Sequence, residues 1–177
     1  MQLSDPTATA LDVLARSEHP GWWSALPGML RTAFARWPGH PDLVDTLTAL
    51  VLDERFAMAQ GPALISVCLD AAAAMRKADS APLLAHAAQL TWIFHDADRA
   101  LGLLIDALSA NPADPDARAF LSELLAAADP HLAWADALET LALRAVRGDV
   151  DRAAVLDILA ECAPVCPAPR ARALLGR

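Results

Sequence analysis

The chain has 177 residues, of which 55% are hydrophobic and 20% charged, with a formal net charge of −8. That hydrophobicity excludes a disordered chain, and the acidic balance excludes the electrostatic footprint of a nucleic-acid or anionic-membrane binder. Three cysteines without a regular framework supply no disulfide scaffold.

Alanine and leucine dominate and long runs of β-branched residues are missing, so the chain is expected to be all-α. A length of 177 residues is expected to hold one domain, and no Gly/Ser linker interrupts it. In chain order, Pro after a capping residue marks helix starts at Asp5-Pro6, His40-Pro41, Gly61-Pro62, Asp114-Pro115 and Asp129-Pro130. Ser80 (before Pro82), Asp96 and Asp149 supply further caps. The predicted helices are 6–17, 22–36, 41–58, 62–77, 81–94, 97–110, 115–128, 130–147 and 150–162, about nine in all, with a short one over 170–175 in a C-terminal tail of 163–177. Apolar residues recur at helical spacing within them, as in Leu101, Leu104, Ile105 and Leu108, or Leu138, Leu141, Ala142 and Ala145. Short connections make successive helices antiparallel hairpins.

The N-terminal 20 residues lack a basic region followed by an apolar one, so no secretory signal is expected. The most apolar stretch, 83–108, is cut by His95, Asp96, Asp98 and Arg99, which leaves no membrane span there. A cytoplasmic protein follows as the expectation. Arginine far outnumbers the lone Lys77 in an alanine-rich chain, a composition compatible with a GC-rich bacterial genome.

The hinges recur. Pro38, Pro41 and Asp42 match Pro112, Pro115 and Asp116, and the first pair stands 74 positions apart (112 − 38), two steps of 37. Pro82 has the same role between them. Two helices per step of this size is the pattern of a helical solenoid. The best-matching unit, 81–114, resembles a tetratricopeptide repeat (TPR): Ala100, Leu104 and Ala107 with the closing Pro112 follow the family's small–large–small–Pro pattern. Leu84, Ala87 and Ala88 are compatible with its first helix, whereas Thr91 stands where the family usually has an aromatic residue. The resemblance implies a right-handed stack of hairpins with a concave inner face. On that face it would place Ala85, Gln89 and Trp92 of one helix, Ala119 and Glu123 (with Ala126) of the next, and Asp45 (with Ala49 and Leu52) of the one before. The Lys, Arg and Asn residues with which one TPR subgroup clamps a peptide carboxylate are absent, which favours a neutral or basic protein or peptide partner.

Chemistry-bearing constellations are sparse. His95, Asp96 and Asp98 lack a second helical ligand pair, so no metal is expected, and the Asp residues read as caps. Cys162 and Cys166 read as thiols at a helix exit. No Gly-rich phosphate loop, nucleophile elbow or Cys–His arrangement occurs. The expectation is a non-catalytic interaction module without a cofactor. The alternative is a self-associating subunit, or an enzyme's companion, using Trp22 and Trp23; adjacent helical positions cannot both face a core, which makes a homo-oligomer the second expectation. A small helical enzyme using His95, Asp96 and Asp98 or Cys162 and Cys166 is the third.

Overall fold

A computed structural model describes residues 5–127, 133–166 and 168–176. Helix α1 (Pro6–Ser17) opens where the Asp5 carboxylate accepts the Ala8 amide at 2.7 Å. A 3-10 turn over Pro20–Trp22 precedes α2 (Leu26–Arg36), so the predicted helix 22–36 is four residues shorter at its start. Then follow α3 (Pro41–Leu52), α4 (Glu54–Ala73), a second 3-10 turn (Lys77–Ser80), α5 (Ala81–Ile93), α6 (Ala97–Ala110) and α7 (Pro115–Ala127). Beyond residue 132 come α8 (Trp134–Val146), α9 (Arg152–Cys162) and α10 (Pro169–Leu175). Among the described residues there is no strand, and the fold is all-α.

One expected boundary moves. The helix read as 41–58 ends at Leu52, because the Asp53 carboxylate accepts the Arg55 and Phe56 amides at 3.0 and 3.1 Å and starts α4 there. Gly61-Pro62 therefore lies inside a 20-residue helix and starts nothing. The exposed Pro62 deprives the Met58 carbonyl of its usual amide partner, a loss that neighbouring water tolerates better than a core does. Two caps also differ. Ser80 donates its hydroxyl to the Lys77 carbonyl at 2.7 Å and caps no amide, and α9 is capped by Asp151, not Asp149. The expected Asp129-Pro130 start lies outside the described residues.

Most helices pack on their successor or the next but one, and α7 packs back on α5 and α6. Contacts join α1 to α3, α2 to α4, α3 to α5, α5 to α7, α6 to α8 and α8 to α10, and the most extensive pair is α5 with α6. The buried apolar residues form two clusters. One is built on α1–α5 around Leu30, Leu47, Phe56 and Leu64; the other runs from α5 to α10 around Leu104, Phe120, Leu141 and Ile158. Helix α5 belongs to both, with Leu83, Ala87 and Leu90 in the first and Ala85 and Ala88 in the second. An apolar sequence all round, "APLLAHAAQLTWI", suits a helix covered on both sides. Helix α4 is the one described helix long and apolar enough to cross a membrane, and half of that stretch is buried inside the protein.

Candidate functional site

Helices α3, α5 and α7 lie side by side, α5 in the middle, and a groove of about 440 Å³ runs across their far ends. Helix α3 contributes Val51 and Leu52, and the first turns of α4 contribute Glu54, Ala57 and Met58. The last turn of α5 supplies Gln89, Leu90, Trp92 and Ile93, and α7 supplies Phe120 and Glu123. Leu90, Phe120 and Ala57 form its floor, since each is also a core residue. Its walls expose unusual amounts of apolar surface: Leu52 is 70% exposed, Met58 57% and Ile93 45%. These are three of the ten large hydrophobic residues exposed among the described residues, gathered on one feature. A second hollow under Trp92, Ile93, His95 and Ala97 continues it past the end of α5.

The electrostatics of the groove are one-signed. Glu54 and Glu123 line it, and neither makes an ion pair or hydrogen bond among the described residues. Five arginines are engaged elsewhere: Arg31 with Asp70, Arg144 with Asp106, Arg118 with Glu161, Arg16 with Asp12 and Arg76 with Asp79. Arg55, next to Glu54 in the chain, has its Nε 4.0 Å from Asp53. Glu54 stands in the first turn of α4, where the helix dipole favours a carboxylate.

One turn back along the same three helices, a polar knot ties them together. His86 on α5 is buried, with Nε2 3.0 Å from Thr48 Oγ1 on α3 and 3.8 Å from Asp116 Oδ2 on α7. Its Nδ1 stands 3.5 Å from the Gln89 amide oxygen, so Gln89 connects the knot to the groove. Asp114, just before α7, is buried while accepting the Ala117 amide at 2.9 Å; desolvation raises its carboxyl above the usual range against that hydrogen bond.

Of the residues assigned to the inner face from the sequence, Gln89, Trp92 and Glu123 meet in the groove together with Leu52. Ala85 does not reach it. It is fully buried in the second core cluster, because α5 has a helix on the side that the single-groove picture left open. Asp45 and Ala119 are exposed on α3 and α7 but lie outside the groove's lining. Met58, Ile93 and Glu54 were missed. Met58 and Glu54 belong to a helix start that Asp53 creates, and Ile93 follows Trp92 around the last turn of α5.

Trp22 and Trp23 separate in environment. Trp23 donates its indole N–H to the Ser17 carbonyl at 2.7 Å and sets its edge on Phe56, centroids 5.5 Å apart. Trp22 is 47% exposed, with the Arg16 guanidinium 4.4 Å from its ring centre. The His95–Asp98 segment joins the turn after α5 to the first residues of α6. His95 takes a left-handed conformation at φ 64°, Asp96 caps α6 through the Arg99 amide, and no three His, Cys, Asp or Glu side chains converge on a metal position among the described residues. Burial pushes the Cys162 thiol up to about 12, with Glu161 and Cys166 adding to the effect. The chain matches no protein-family model, and neither a curated protein nor a solved structure matches it.

Proposed function

We propose that the protein is a non-catalytic interaction module, an adaptor, scaffold or chaperone-type subunit, which receives a neutral or basic segment of a partner protein in the α3–α5–α7 groove. The observation that carries this reading is the coincidence of Leu52, Met58 and Ile93, all exposed, with two carboxylates unpaired among the described residues at a concave surface. The contacts between most helices and the next but one agree with hairpins stacked in the TPR manner, although neither α4 with α6 nor α7 with α9 makes a comparable contact. In such a stack the inner face is the working surface. A net charge of −8 favours a protein or peptide over nucleic acid or a lipid surface, and a cytoplasmic setting suits that role. Three of the groups that could carry chemistry have structural occupations: Asp96 caps a helix, His86 is buried in a knot, and burial raises the Cys162 thiol above the reactive range.

The test is capture of partners by the wild-type protein, Trp92→Ala and Glu123→Lys under identical conditions. Loss of the same captured partner in both variants is expected. Retention of every partner by both would remove the groove assignment.

A second reading is favoured at the N-terminal end by Trp22, which is 47% exposed: association of copies through that indole. Light scattering at high micromolar concentration decides it, since a strict monomer eliminates self-association.

A further inference from the structure

We infer that the occupant of the groove is a cationic amphipathic helix. The inference rests on the groove reading above and adds the conformation and charge of the segment that fits. A bound segment must satisfy its own backbone amides and carbonyls, or leave them orphaned against apolar walls. Here the walls are helices, whose backbone groups are paired internally apart from those of their end turns and the Met58 carbonyl opposite Pro62, and no described residue belongs to a strand whose edge could pair with an extended peptide. The side-chain polar groups on offer are the Gln89 amide and the Glu54 and Glu123 carboxylates, too few to match an extended backbone residue by residue. A helix brings its hydrogen bonds with it and presents only side chains. Its apolar stripe would lie on Leu52, Met58, Ile93 and Trp92, where the flexible thioether of Met58 adapts to differing side chains. Its flanking Lys or Arg side chains would meet Glu54 and Glu123, neither of which is ion-paired among the described residues.

The probe is a fluorescein-labelled leucine–lysine peptide of about 18 residues, long enough for five helical turns, with leucines on one stripe. It is titrated against the full chain by anisotropy. Two comparison peptides share its length: one of the same composition scrambled to destroy the stripe, the other with every lysine replaced by glutamate. Because any cationic peptide is drawn to an acidic protein, the double variant Glu54→Lys/Glu123→Lys is paired with Asp136→Lys/Asp157→Lys. The latter makes the same charge change at exposed positions of α8 and α9. Circular dichroism confirms that both double variants are folded. The groove variant is expected to weaken binding about tenfold or more relative to the control variant, and scrambling to weaken it comparably. Equal losses in the two double variants would make the attraction general and overturn the inference. So would a scrambled or glutamate peptide that binds as tightly as the patterned lysine one. Those outcomes leave the groove reading standing, which fails separately if Trp92→Ala and Glu123→Lys retain every captured partner.

Discussion

The Phe94 ring lies so close over Gly61 that a Cβ on Gly61 would stand 2.0 Å from Cε2 and 2.5 Å from Cζ. That approach seats the end of α5, with Trp92 and Ile93, on the flank of α4. Gly61 and Gly102 are both helix-interior glycines, but nothing lies within 4 Å of a Cβ at Gly102. Gly102→Ala is therefore expected to stabilise the fold by about 1 kcal/mol, the ordinary helix-propensity gain. Gly61→Ala should instead destabilise it by about 1–2 kcal/mol, because expelling Phe94 outweighs the same gain. Denaturant melts of the two variants check this, and the deficit should largely disappear in Gly61→Ala/Phe94→Ala.

Asp114 carries a cap and a burial cost at once. Its folded-state carboxyl is raised, so the protonated form is the one the fold prefers, and the wild type loses stability as pH rises through the folded value. Asp114→Asn keeps an oxygen for the Ala117 amide and removes the charge. Its melting temperature should exceed the wild type's at pH 7, with the difference shrinking as pH falls below the ordinary carboxylate range near 4. A constant difference across pH 3–7 would contradict this account. Asp114→Ala, which deletes the cap, is expected to cost about 1 kcal/mol.

His95 and Gly148 occupy equivalent places. Each ends a helix in the left-handed region, at φ 64° and 81°, and the following amide returns to the helix: Asp96 N–H to the Thr91 carbonyl, Asp149 N–H to the Arg144 carbonyl. Histidine bears a Cβ cost there that glycine does not. His95→Gly should raise stability by about 1 kcal/mol, and Gly148→Ala should lower it by a similar amount. Thermal melts of the pair give opposite signs if the turn geometry is as described.

The thiols should divide by reactivity. Burial pushes both Cys68 and Cys162 up to about 12, whereas Cys166 is only half-buried. An aromatic disulfide reagent at pH 8 is expected to modify Cys166 alone in the native protein. Cys68 and Cys162 should follow only when guanidinium unfolds the chain. Modification of all three at one rate without denaturant would refute the division.

Local capping chemistry was readable and long-range placement was not. Helices 6–17 and 97–110 were read to the residue, because Asp5-Pro6 and Asp96 state their starts within four positions. The Gly61-Pro62 pair misled, since the dipeptide looks like a start whether or not a neighbouring Asp53 has already opened the helix. The groove was partly legible for the same reason. Gln89 and Trp92 share a helix stripe that periodicity exposes, and Glu123 occupies the matching stripe of α7. Ala85 shares that stripe too, yet whether an alanine faces solvent or another helix depends on α6 and α7, which one helix's sequence does not specify. The knot of His86, Thr48 and Asp116 joins residues 38 and 30 positions apart and has no local signature.

Helix α5, walled by one core cluster on each side, has a consequence for how the molecule opens. An outer helix can detach by giving up contacts with one cluster, whereas releasing α5 requires both clusters to come apart. The amide protons of Ala85 to Leu90 should therefore be among the last to exchange with deuterium, at the rate set by global unfolding. Those of α1 and α10 should exchange through smaller openings. The groove's wall at Gln89 is thereby part of the slowest-opening segment of the chain, while Leu52 on its rim is the last residue of α3, where the backbone has fewer hydrogen bonds to hold it.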